Sequence, residues 1–113
     1  MPQAIDLDHL QKYVCGDRAL LDEILCIFED QARKWIAQFD PDADDEAWRN
    51  AAHALKGASR GIGAWRIGEI CEAAEGLIGG LQGKAEQRLQ ALLELKQLVA
   101  DAVGEAAEIR RAA

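Results

Sequence analysis

The sequence predicts an all-α protein: an antiparallel up-down-up-down four-helix bundle preceded by a short N-terminal helix. Three observations lead there. Ala, Leu, Glu, Gln, Lys and Arg are abundant while Val and Tyr are scarce, a balance that favours helix. Apolar residues recur at three-four spacing over long stretches, and no run alternates with the period of two that a half-buried strand needs. Both prolines fall outside those stretches.

The first helix is short, from Asp6 or Asp8 to Val14, and the Cys15-Gly16-Asp17 turn closes it. A longer one follows from about Arg18 to Phe39, with Leu21, Ile24, Leu25, Phe28, Ala32, Trp35, Ile36 and Phe39 on one face. The stretch Asp40-Pro41-Asp42-Ala43-Asp44 breaks it. Asp42 or Asp44 can then cap a third helix, and Asp45 and Glu46 suit the positive end of its dipole. That helix runs to about Ser59 or Arg60 and ends on Gly61-Ile62-Gly63. The fourth spans about Ala64 to Ile78, burying Ile67, Ile70, Cys71, Ala74, Leu77 and Ile78, and stops at Gly79-Gly80. The last starts near Gly83-Lys84. Leu89, Leu92, Leu93, Val99, Val103 and Ala106 mark its inner face, and its end from Ile109 onward is expected to fray. Short connections force neighbours in sequence to lie antiparallel, which gives the bundle.

At 113 residues the chain fits one domain, residues 1–113, with an ordinary soluble composition. A net charge of −7 argues against nucleic acid or an acidic membrane surface as partner. No basic-then-apolar leader and no apolar run near 18 residues is present, so secretion and membrane insertion are unsupported and a cytoplasmic location is expected. Cys15, Cys26 and Cys71 are widely spaced and odd in number. Cys26 and Cys71 sit at apolar positions and read as buried, reduced thiols. Two distant histidines and no Cys-x-x-Cys leave no zinc site to propose. His9 reads as an ordinary surface or helix-start residue.

The third helix carries the informative chemistry. Trp48, Ala51, Ala52, Leu55, Ser59 and Ile62 fall within about 100° of arc, the width of a core stripe. His53 lies well off that stripe and faces solvent. Its helical neighbours are Arg49, Lys56, Gly57 and Arg60. From Glu46 to Arg66 four basic residues meet one acidic, a local charge of +3, while the other 92 residues sum to −10. A basic spot on an acidic molecule invites an anion such as a phosphoryl group, although charge alone would equally suit a solvated helix face. Gly57 adds to the case. A mid-helix glycine costs about 1 kcal/mol against alanine, and here it leaves bare backbone beside the histidine.

The run His53-Ala54-Leu55-Lys56-Gly57-Ala58-Ser59-Arg60-Gly61-Ile62-Gly63-Ala64 resembles the signature of histidine-containing phosphotransfer (HPt) domains: His-x-Leu-Lys-Gly-x-Ser/Ala, then Gly-Ala four residues on. Every constrained position matches over these 12 residues, on a helix, in a chain of suitable length. The resemblance implies that His53 accepts a phosphoryl group from a receiver-domain aspartate or a kinase and passes it to another receiver. It assigns Lys56 to steadying the phosphoryl oxygens and Gly57 to opening access; Arg49 and Arg60, read from helical spacing alone, support the site as nearby cations that disfavour the protonated ring. Family members bond the ring's other nitrogen through a Gln or Glu on the following helix, and Glu75 stands in the matching place.

No glycine-rich phosphate loop and no acidic trio for Mg²⁺ is present, so the chain reads as a carrier rather than an enzyme, without a cofactor of its own. Mg²⁺ would be supplied by the partner receiver domain. The expected partners are response-regulator receiver domains, a sensor histidine kinase, or both. A free-standing monomer is expected, as the starting methionine suggests, although a domain of a larger kinase would look the same. Two alternatives stand beside this reading: an HPt-like module that docks a receiver or kinase without being phosphorylated, and an unrelated bundle that oligomerises through apolar stripes.

Overall fold

Residues 4–112 are described by a computed structural model. They form five helices, with no strand among them: α1 (Leu7–Val14), α2 (Arg18–Gln38), α3 (Asp45–Gly61), α4 (Trp65–Glu75) and α5 (Lys84–Arg111). Aspartates start the first three. Asp6, Asp17 and Asp44 each accept a hydrogen bond from the backbone N–H three residues on, satisfying a donor that a helix start leaves orphaned. Of the two residues expected to cap α3, Asp44 is the one that does so, at 2.7 Å from the Ala47 nitrogen.

Each of the four longer helices packs on two others, α2 on α3, α3 on α4, α4 on α5 and α5 on α2, while α1 packs on α2. Cross-links show the direction of two of these pairs. Lys56 meets Glu75 where Arg60 meets Glu72, and Arg88 meets Leu77 where Glu94 meets Arg66, so α4 runs opposite to both α3 and α5. The core between the helices holds Leu21, Leu25 and Phe28 of α2, Trp48 and Leu55 of α3, Ile67 and Cys71 of α4, and Leu92, Leu95 and Val99 of α5.

Gly63 is the one position where glycine is demanded twice over. Its φ is +79°, and a Cβ there would sit 2.8 Å from the Cβ of Asp6. The Asp6 N–H donates to the Gly63 carbonyl at 3.0 Å, and the Trp65 indole donates to the Asp6 carboxylate at 3.0 Å. The turn between α3 and α4 is thereby pinned to the start of α1.

Four expectations need correction. Helix α4 ends at Glu75 rather than near Ile78, because Gly76 and Leu77 turn back onto the carbonyls of Ala73 and Ala74. Leu77 and Ile78 leave the helix yet still pack on the core. The inner face of α5 is Arg88, Leu92, Leu95, Val99, Ala102 and Ala106. Leu89 and Leu93, expected inside, are 50% and 58% exposed, since they stand about 100° and 140° round the helix from Arg88. The C-terminal end does not fray at Ile109. Arg18 donates to the carbonyls of Ile109 and Arg110 at 2.6 and 2.9 Å, a cation at the negative helix end, and Arg110 pairs with the buried Glu29 at 2.7 Å. Finally, Cys71 is buried but Cys26 is exposed, as is Cys15.

Arg88 is the unexpected member of the interior, with 1% of its side chain exposed. It donates to the carbonyls of Leu77, Pro41 and Ala43 and to the Asp45 carboxylate at 2.7 Å, and its guanidinium lies 4.9 Å from the centre of the Trp48 ring. Asp45 also accepts from Lys84 and from the Gly79 N–H; these bonds, the Gly79 one foremost, hold its carboxyl below the usual carboxylate range. Ser59 is the opposite case, a fully buried hydroxyl with no hydrogen-bond partner. Two substitutions separate these roles in urea unfolding at neutral pH. Arg88→Met strands three carbonyls, while Asp45 keeps Lys84 and the Gly79 N–H, and is expected to cost about 3–5 kcal/mol. Ser59→Ala removes an unsatisfied group and is expected to leave stability unchanged or raise it by up to about 1 kcal/mol. Equal losses from both would contradict this assignment.

Candidate functional site

The predicted stripe of α3 is the buried one: Trp48, Ala51, Ala52, Leu55, Ser59 and Ile62 all lie in the interior. Burying that face turns its opposite outward, and the His53 side chain is 74% exposed. Its Nδ1 lies 3.0 Å from Oε1 of Glu75 on α4, 22 residues further along the chain. The other oxygen of the same carboxylate accepts from the Lys56 ammonium at 2.9 Å. One carboxylate thus holds the histidine and the lysine together, across the most extensive helix pair of the molecule.

Helix α4 delivers Glu75 through contacts on either side of it. The Trp48 indole donates to the Ala74 carbonyl at 2.7 Å, and Arg88 takes the Leu77 carbonyl at 2.8 Å. The carboxylate is therefore carried on backbone fixed at both ends. The Lys56 hydrogen bond, first, and the His53 hydrogen bond, second, hold the Glu75 carboxyl below the usual carboxylate range against an opposing effect of burial. An anionic Glu75 can only accept, so the ring donates from Nδ1, the tautomer of a neutral imidazole that leaves the Nε2 lone pair free. Nε2 has no protein partner among the described residues.

The three cations expected around the ring differ in status. Lys56 is only 15% exposed and is committed to Glu75. Arg60 pairs with Glu72 at 3.2 Å. Arg49 is exposed and makes no ion pair among the described residues. Gly57 faces open space: beyond its own stretch of helix, nothing lies within 4 Å of where a Cβ would stand. On its other side lies a shallow groove of about 270 Å³, lined by Tyr13, Ile24, Ile27 and Phe28 with Gly57 and Ile62.

Sequence reasoning missed Glu72, and it expected apolar residues of α2 and the surface around His53 to form an interface without naming Tyr13 or Ile27. The spacing of Glu72, one turn before Glu75, is the signal that would have found it. The exposed Tyr13 and Ile27 gave no periodic signal, because they belong to two different helices. Cys71 sits one turn from Glu75 in the interior; burial, before the nearby carboxylate, pushes its thiol up to about 12, so it stays protonated and unreactive. His9 stands edge-on to Trp65 at 4.9 Å and takes no part in this cluster. No three His, Cys, Asp or Glu side chains among the described residues are grouped to hold a metal ion.

A family model for the Hpt domain matches residues 19–106. The chain belongs to the Hpt domain family. The match runs from the first turn of α2 into the last turns of α5 and contains His53, Lys56, Gly57 and Glu75. Comparison with curated proteins and with solved structures gives no match in either case. Hpt domains take part in histidine phosphotransfer in phosphorelays, as phosphoryl carriers rather than classical enzymes. No helix among the described residues is long and apolar enough to cross a membrane.

The lowered Glu75 carboxyl gives this Hpt domain a signed pH dependence. A carboxyl depressed by folding adds stability that is complete at neutral pH and is lost as pH falls through its folded value. Between pH 7 and pH 3 the wild type is expected to lose more stability in urea than Glu75→Gln, which has no charge to lose. Equal losses in the two proteins would show that the His53–Glu75–Lys56 contacts contribute nothing to the acid limb.

Proposed function

We propose that this chain is the phosphoryl carrier of a two-component phosphorelay. It takes a phosphoryl group onto His53 from a receiver-domain aspartate or a sensor histidine kinase and gives it up to another receiver. The observation that carries this reading is the arrangement about one ring: an outward imidazole with Nδ1 engaged by Glu75, Nε2 open, and the bare turn of Gly57 beside it.

The transfer follows from that geometry. The Nε2 lone pair attacks phosphorus in line with the departing oxygen. The N–P bond forms as the P–O bond to the partner's aspartate breaks, its electron pair remaining on the carboxylate. Nδ1 keeps its proton, so the product is a phosphorylated imidazolium facing the negative charge of Glu75. The return step reverses these events and releases a neutral imidazole. Such transfers have loose transition states, and the protein's work is to position groups and offset charge. Lys56 supplies the offset by turning its ammonium from Glu75 to the phosphoryl oxygens.

The groove beside Gly57, with Tyr13 and Ile27 exposed at its rim, supports a small and transient docking surface for a receiver. In this reading residues 1–113 are one domain, an up-down-up-down bundle with α1 against it, working as a monomer in the cytoplasm. Mg²⁺ and the acidic acceptor come with the receiver, and the chain needs no cofactor of its own.

Incubation with a phosphorylated receiver tests the assignment. Wild-type protein is expected to take up acid-labile, alkali-stable phosphate, and His53→Gln is expected to keep the helical fold and take up none. Labelling of the variant would refute His53 as the acceptor. Lys56→Ala is expected to slow single-turnover transfer about 10–100-fold; an unchanged rate would remove Lys56 from the chemistry.

A further inference from the structure

Two features near the site are left unexplained by the transfer itself. Gly68 is a buried glycine inside α4, where alanine would be the better helix former. A Cβ at this position would stand 3.0 Å from Cγ and 3.2 Å from Nε of Arg60. The missing side chain is thus a notch through which the stem of Arg60 crosses α4. Beyond the notch, Nη2 of Arg60 bonds Glu72 at 3.2 Å. Stem and head are both held, and the side chain remains 43% exposed, with Nε and Nη1 unpartnered among the described residues.

Arg60 follows His53 by seven residues, which puts it on the same line of the helix, roughly 10 Å along the axis. It is the only one of the three cations around His53 that is both fixed and available. Lys56 is covered and bound to Glu75, and Arg49 has no ion-pair partner among the described residues to order it. A guanidinium ordered before docking loses little freedom when it is used, and its planar fork fits a carboxylate.

Resting on the phosphorelay reading above, we infer that Arg60, seated in the Gly68 notch, is a specificity-determining residue that takes a carboxylate on the docking face of the partner receiver. Arg60 starts about two turns along α3 from His53 and reaches across α4, so the carboxylate would lie on the α4 side of the receiver's phosphorylated aspartate. Gly68 is a positioning residue that acts through Arg60.

The test uses purified receiver domains from the same organism, titrated first against the His53→Gln protein, which reads docking without chemistry. Adding Arg60→Ala is expected to weaken docking of the cognate receiver about 10-fold. In transfer assays with His53 present, the loss is expected to fall on KM more than on kcat. Gly68→Ala keeps the charge but displaces the stem, and is expected to raise KM several-fold with no loss of thermal stability. An Asp→Lys or Glu→Lys change at the matching receiver position should be rescued by Arg60→Glu. Docking and KM unchanged in Arg60→Ala for every receiver that binds would overturn the Arg60 assignment alone. A His53→Gln protein that docks no receiver would overturn the phosphorelay reading, and this inference with it.

Discussion

Burial of a single stripe on α3, from Trp48 to Ile62, is the constraint from which the rest of the site follows. A helix has one period, so committing these residues to the interior determines where every other side chain of α3 points. Arg49, His53, Gly57 and Arg60 share the opposite line, and no local device is needed to expose the imidazole. The cost of leaving a histidine in water is nil, and its orientation comes without a loop that could drift. What remains is to fix the ring's rotation and tautomer, which a helix cannot do for its own side chains at this spacing. A carboxylate from a second helix must do it.

Placement of that carboxylate depends on the far end of the bundle. Glu75 is the last residue of α4, where helices ordinarily loosen. Here the Ala74 carbonyl is taken by Trp48 and the Leu77 carbonyl by Arg88, while Arg88 also rests on the Trp48 ring and grips Asp45 at the start of α3. A buried cation making four hydrogen bonds thus locks the loop that follows Glu75 to the helix that carries His53. Breaking such a network would leave charge and carbonyls unpaired in the interior, so the loop has one low-energy arrangement rather than several. The tolerance on the 3.0 Å His53–Glu75 contact is set by residues that never touch the imidazole.

Legibility in the sequence divides along the same physical lines. The α3 stripe and the exposed His53 were readable because they depend only on helical period, and Glu75 was readable because the resemblance supplied a partner across the loop. Arg88 is invisible to a search for apolar residues: a cation in the core is defined by its acceptors, and these come from two distant chain segments, 41–45 and Leu77. With Arg88 left out, the apolar pattern of α5 points to a face rotated toward Leu89 and Leu93, which the structure leaves exposed. The end of α4 was misjudged for a related reason. Leu77 and Ile78 are apolar and do contact the core, but they do so from a turn, and periodicity cannot tell the two apart. Gly68 carries no sequence signal of its own, because the space its side chain would fill is taken by the Arg60 stem from another helix.

The pairing of the site's cations bears on what kind of anion site this is. The local +3 charge of the segment from Glu46 to Arg66 suggests a pool of free positive charge, yet Lys56 is matched by Glu75 and Arg60 by Glu72 from the neighbouring helix. Charges so matched attract a passing phosphate ion weakly, on a molecule whose net charge of −7 already repels it. A carrier has to satisfy two opposed demands, since a site that grips free phosphate would be occupied by it and would hold its cargo against the next acceptor. In the proposed transfer, Lys56 reaches the phosphoryl oxygens only by leaving Glu75, so the stabilisation of the bound group is offset by the contact given up. In that proposal the exchange would bring the phosphorylated and free states closer in energy, the condition under which a phosphoryl group could move in either direction between histidine and aspartate.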